Sequence, residues 1–106
     1  MKYNNTTIKE SNHLGIKTLS VRLYDTIIVR RFNGKITLRK WKTNNGDVVQ
    51  SATTKTRMNQ ISGDFDLGYE VYQSKGDWYV KYNGSVTPFF GEEIQIKERN
   101  VWQYRK

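Results

Sequence analysis

Asn33-Gly34 sits between two runs that favour strands, and no other pair of residues constrains this chain as strongly. Thr26 to Phe32 is rich in β-branched residues, and Lys35 to Trp41 alternates apolar and polar side chains. Asn-Gly takes positive φ at both positions, as a two-residue hairpin turn requires. A turn that short fixes the register. Phe32 then faces Lys35, Arg31 faces Ile36, Arg30 faces Thr37, Val29 faces Leu38 and Ile28 faces Arg39. Side chains alternate between faces along each strand. One face should carry Ile27, Val29, Ile36 and Leu38. The other should carry Ile28, Arg30, Phe32, Lys35, Arg39 and Trp41.

A second hairpin is expected from Leu67 to Gln73 and Asp77 to Tyr82, across Ser74-Lys75-Gly76. With Ser74 opposite Asp77, Gln73 meets Trp78, Val71 meets Val80 and Tyr69 meets Tyr82 on one face. Glu70 then meets Lys81 on the other, beside Tyr72 and Tyr79, so the pairing is self-consistent. Asn83-Gly84 marks a further turn, and Glu93 to Arg99 alternates around Ile94 and Ile96. Leu19 to Leu23 also alternates. Between the hairpins, Thr54, Met58, Ile61 and Phe65 recur at helical spacing, with Ser51 or Thr53 as N-cap. Gly63 is placed to end that helix in the left-handed conformation. Val101, Trp102 and Tyr104 form an apolar tail expected to dock on the domain.

The pattern predicts an α+β fold, mainly β. It has one antiparallel sheet of five or six strands and a single short helix packed on one face. At 106 residues there is room for one domain. Residues 1–18 are expected as a partly ordered polar arm and residues 19–106 as the compact domain. Apolar residues make up 36% of the chain, but three Trp, seven Tyr and four Phe supply core area. Homo-oligomerisation would supply more.

Several function classes have no support. Without cysteine there is no disulfide or thiolate chemistry. His13 is the only histidine, and it falls in the polar arm, away from any formed site. Asp64 with Asp66 and Glu92 with Glu93 read as loop residues rather than metal ligands. No phosphate-binding glycine motif occurs. We therefore expect neither an enzyme nor a cofactor. Met1 to Lys17 lacks the apolar segment of a secretion signal, and no run is long enough to span a membrane, so no membrane association is expected.

Charge points the other way, toward a partner. The chain carries +8, distributed unevenly. Residues 1–60 hold twelve Lys and Arg against three Asp and Glu, whereas residues 61–106 hold six against seven. A one-sided field of this sign attracts polyanions. Two places could bind them. Arg30, Phe32, Lys35, Arg39 and Trp41 would combine cations with aromatic rings, as surfaces that hold single strands do. The competing reading is a self-stabilised face on which Arg stacks on Phe and Trp. Thr53, Thr54, Lys55 and Arg57 gather at a helix start, where free N–H groups accept phosphate. There the competing reading is simple capping with solvated cations.

Three stretches occur together: Tyr24-Asp-Thr-Ile-Ile-Val29 with Asn33-Gly-Lys-Ile-Thr-Leu38, then Ala52-Thr-Thr-Lys-Thr-Arg-Met-Asn-Gln60, then Gly68-Tyr-Glu-Val-Tyr-Gln73 with Gly76-Asp-Trp-Tyr-Val80. Their order over residues 19–96 resembles a set of small proteins of tailed bacteriophages. In those, a Thr-Thr-Lys-x-Arg-[Met/Ile]-Asn segment follows a strand and precedes a Val-x-Gln-x-x-x-x-Trp-Tyr-Val hairpin. Their Gly-Gly-Trp just before the Thr-rich segment is missing here, since Thr43 to Gln50 separates Trp41 from it, which weakens any role carried over to Trp41. The resemblance implies a phage or prophage origin and a compact domain, but no particular activity; the expected location is the cytoplasm of an infected bacterium. The functions expected are binding of nucleic acid or a nucleotide-like polyanion, inhibition of a host defence protein such as a restriction or CRISPR effector, or a small structural role.

Overall fold

The computed structural model describes residues 3–98. Its elements are β1 (Thr6–His13), β2 (Ile16–Leu23), β3 (Thr26–Phe32), β4 (Lys35–Arg39), β5 (Trp41–Lys42), β6 (Val48–Val49), α1 (Ala52–Asp64), β7 (Tyr69–Ser74), β8 (Asp77–Tyr82), β9 (Ser85–Pro88) and β10 (Glu93–Lys97). They form three antiparallel sheets rather than the one expected. The largest has the order β1-β2-β3-β4-β10, a second has the order β7-β8-β9, and β5 pairs with β6 alone.

Both predicted hairpins form, the second in the predicted register throughout and the first in it from Val29 to Lys35, without the expected Ile28–Arg39 pair. Val29 opposes Leu38, Arg30 opposes Thr37, Arg31 opposes Ile36 and Phe32 opposes Lys35. Asn33 and Gly34 have φ of 52° and 81°, the turn shape that matches strand twist. The β7–β8 pairs run from Tyr69–Tyr82 to Ser74–Asp77.

The start of the chain departs from expectation. In place of a partly ordered arm before Leu19, β1 pairs with β2 along its whole length, from Thr6–Leu23 to His13–Ile16. Their turn places Leu14 at φ 54°, a conformation leucine rarely takes. Ile28 departs as well. Val21 opposes Val29 and Arg22 opposes Ile27, so Ile28 is the extra residue of a β-bulge. The bulge turns Ile28 into the core, where it is fully buried, instead of leaving it beside Arg30.

One cluster fills the interior. Leu19, Val21, Val29, Ile36, Leu38 and Ile96 come from the large sheet, Met58 and Ile61 from α1, and Tyr69, Val71, Trp78 and Val80 from the second sheet. The helix starts where predicted, with the Ser51 Oγ accepting from the Thr54 N–H at 3.4 Å. It does not stop at Gly63. It continues to Asp64, and the left-handed residue is Asp66 at φ 56°, a role aspartate tolerates.

Helix α1 lies along the free edge of β7 and satisfies its backbone. The Asn59 amide donates to the Val71 carbonyl at 2.8 Å and accepts from the Val71 N–H at 2.7 Å. The Ser62 hydroxyl does the same for Tyr69, at 2.7 and 3.1 Å. An exposed edge is thereby covered. The expected docking of Val101, Trp102 and Tyr104, and the end of the last strand at Arg99, lie outside the described residues.

Candidate functional site

The large sheet buries one face and leaves the other in solvent. Strand register aligns the outer residues in rows. The first row runs Ser11, Thr18, Phe32, Lys35, Lys97 across all five strands. The second runs Lys9, Ser20, Arg30, Thr37, Gln95. Beyond it lie Thr7, Arg22, Ile27, Arg39 and Glu93. Six cations therefore share this face with one carboxylate. That carboxylate is already engaged, since the Arg39 Nε and Nη2 both donate to Glu93 Oε1, at 3.1 and 2.5 Å. Among the described residues no acid is paired with Lys9, Arg22, Arg30, Lys35 or Lys97. Lys97 comes from the nearly neutral second half of the chain. Its pairing with Lys35 places it on the face.

Phe32 is 54% exposed and lies on the middle strand, surrounded by these cations and by hydroxyls. With Thr18, Ser20, Arg30, Arg31, Lys35, Thr37 and Gln95 it lines an open cleft of about 570 Å³. Among the described residues no cation stands over its ring. Self-stacking of Arg on Phe is not how this face is built. Arg31 belongs to the inner face, where its Nε meets the buried Glu98 carboxylate at 2.9 Å.

Trp41 leaves the group expected for it. Strand β4 ends at Arg39, Lys40 turns inward, and Trp41 pairs with Val49 in the small sheet. There Trp41 lines a recess of about 590 Å³ with Tyr24, Ile28, Ser51, Thr53 and Thr54. Thr54 is buried, Thr53 is exposed, and the Lys55 N–H donates to the Ser51 carbonyl at 3.1 Å in the first helical turn. Arg57 is occupied elsewhere. Its Nη1 donates to the Asn4 carbonyl at 3.0 Å and to the Thr6 hydroxyl, its Nε donates to Gln60 at 2.9 Å, and it stands over the Tyr3 ring at 4.8 Å. The guanidinium ties α1 to the start of β1. Of the nine residues singled out, Arg30, Phe32, Lys35 and Arg39 share the sheet face, Trp41, Thr53 and Thr54 gather at the recess, Arg57 is a clamp, and Lys55 is half-buried on the helix.

The Thr-Thr-Lys-Thr-Arg-Met-Asn segment thus works mostly in structure. Thr54 and Met58 pack in the core, Arg57 holds the first strand, and Asn59 satisfies the β7 edge.

Sequence reading did not single out Lys9 and Arg22, whose place on the face follows only from the β1–β2–β3 register. It also passed over Lys40, the one fully buried cation among the described residues. The Lys40 Nζ donates to the Phe89 carbonyl at 2.6 Å and to Gln50 Oε1 at 3.0 Å, and lies 4.5 and 5.0 Å from the Phe89 and Trp78 ring centroids. Burial lowers its pKa from the ordinary lysine value, and the Asp77 charge partly offsets this. The signal was the inward alternation Ile36, Leu38, Lys40.

Fold and face together define a small basic domain of two main antiparallel sheets, the larger of which exposes a face with six cations and one carboxylate. The chain belongs to the Kyanoviridae Gp96 protein family, a family of bacteriophage proteins, whose family model matches residues 1–97. The match takes in β1 as well as the segments that carry the phage resemblance. No curated protein and no solved structure matches the chain. No helix among the described residues is long and apolar enough to cross a membrane.

Proposed function

We propose that this phage protein is a non-enzymatic accessory protein that binds nucleic acid, or a comparable phosphate polymer, on the outer face of its five-stranded sheet. One observation carries the reading: five cations that have no acidic partner among the described residues and a half-exposed Phe32 occupy one open face. Like charges held together by strand register repel one another, and a polyanion relieves that repulsion. Thr7, Ser11, Thr18, Ser20 and Thr37 add hydroxyl donors among them. Phosphate contacts of this kind are made by Arg, Lys, Ser and Thr together. Binding would take place in the cytoplasm of the infected host.

Charge reversal tests the location. Arg30→Glu with Lys35→Glu changes the charge by the same amount as Lys75→Glu with Lys81→Glu on the second sheet. The first pair should weaken binding to a labelled oligonucleotide about 10- to 100-fold, the loss of two charge-assisted contacts at a solvated surface. The second pair should change it by less than about threefold. Equal losses would mean that net charge alone drives binding and that this face is not the site.

A second reading, inhibition of a host defence protein by direct binding, draws on the outer face of the second sheet. Tyr72 and Tyr79 stack there at 5.7 Å, and Phe90, 61% exposed, meets the Tyr79 edge at 5.8 Å. Exposed aromatic clusters suit protein contacts.

A further inference from the structure

We infer that the polyanion is single-stranded, with one unpaired base resting on Phe32. The inference builds on the nucleic-acid reading above and is narrower than it. A face that only neutralised phosphates would gain nothing from an aromatic ring in its middle, because an exposed ring leaves apolar surface in water. Phe32 sits on the central strand, and its neighbours fit the two parts of a nucleotide. Thr18 and Lys35 stand directly across from it on the flanking strands, and Lys97 lies one strand beyond Lys35. Arg30 is two residues along the same strand, about 6.6 Å away at the usual rise. Cations therefore border the ring on two sides, within the span of one nucleotide. The ring itself is uncovered, since no Arg or Lys stands over it among the described residues.

A base can lie on that ring only if its own face is free. In a duplex each face is taken by a stacked neighbour, so the ring cannot distinguish a duplex from any other array of phosphates. In a single strand the face is available, and stacking on one aromatic side chain is then worth roughly 5- to 150-fold in affinity. Any base will serve, because every base has a π-face, so weak sequence preference is expected. The shared chemistry is an unpaired base with flanking phosphates, which DNA and RNA both offer.

The test measures binding of the intact protein to fluorescent 15-nucleotide oligo-dT and oligo-rU, and to each annealed to its complement. Phe32→Ala, Phe32→Tyr and the Arg30→Glu, Lys35→Glu double variant are compared with the wild type. The proposal expects a single strand to be preferred over its own duplex. It expects Phe32→Ala to lose roughly 5- to 150-fold on that strand, with duplex affinity unchanged, and Phe32→Tyr to retain wild-type binding. Circular dichroism should show all variants folded, because Phe32 contributes nothing to the buried cluster. Equal binding of strand and duplex, untouched by Phe32→Ala but lost in the double variant, would overturn the inference and leave the polyanion reading standing. No binding of any oligonucleotide would overturn both, and leave the face to an acidic protein surface.

Discussion

Tyr69 shows how a single side chain couples this fold to pH. Its ring is buried in the core, and its hydroxyl donates to the Met58 carbonyl at 2.7 Å. Burial raises its pKa well above the ordinary 10.0. Below that value the hydroxyl is protonated in both the folded and the unfolded chain, and its contribution is fully present. Above it the unfolded chain releases the proton while the folded chain keeps it. Stability then falls with rising pH, by up to about 1.4 kcal/mol per unit. Tyr69→Phe should be less stable than the wild type near neutral pH by about 0.5–1.5 kcal/mol, the worth of one buried hydrogen bond. By about pH 11 that deficit should vanish or reverse, because the variant does not suffer the alkaline loss. Urea denaturation of both proteins from pH 7 to 11 measures this. Parallel pH profiles would show that Tyr69 does not titrate differently in the two states.

At the scale of elements, the contact between α1 and β1 explains both a residue and a misreading. Arg57 looks like an anion ligand in a list of helix-start cations, but its partners Asn4 and Thr6 lie more than fifty residues away in the chain. Arg57→Ala should destabilise the fold by about 0.5–1.5 kcal/mol, by removing the hydrogen bonds to the Asn4 carbonyl and to the buried Thr6 hydroxyl. It should leave oligonucleotide affinity unchanged wherever the variant is folded. A drop in affinity with unchanged thermal stability would return Arg57 to the binding site. The same contrast runs through what the sequence revealed. The two hairpin registers were legible because Asn33-Gly34 and Lys75-Gly76 are short turns between strands with a clear inside and outside. The helix was legible from Met58 and Ile61. Strand β1 was not, since Ile8 is its only aliphatic residue and Leu14 is not a turn former. Ile28 was misplaced because a bulge leaves no local mark. The division into two main sheets depends on β10 pairing with β4, across more than fifty residues, which no local pattern encodes. For the same reason Arg30, Phe32 and Lys35 were found from one hairpin, whereas Lys9, Arg22 and Lys97 needed the whole sheet.

At the scale of the molecule, the fold separates its two tasks. The inner face of the large sheet, the helix and the second sheet make one core, which even admits the Lys40 ammonium once a carbonyl, an amide and two rings surround it. The outer face contributes little to that core and holds five of the twelve cations of the basic first sixty residues. Stability and binding should therefore be separable, with core changes altering one and outer-face changes the other. The central claim is that this face binds phosphates by displacing their counterions. The most direct measurement is the affinity of the wild type for oligo-dT between about 20 and 200 mM NaCl. Each phosphate engaged on a single strand contributes a slope of about −0.7 in log K against log salt, so engagement of three to five cations predicts roughly −2 to −3.5. Arg30→Glu with Lys35→Glu should flatten the slope by about 1.4. A slope near zero, or one that the double variant leaves unchanged, would contradict the account.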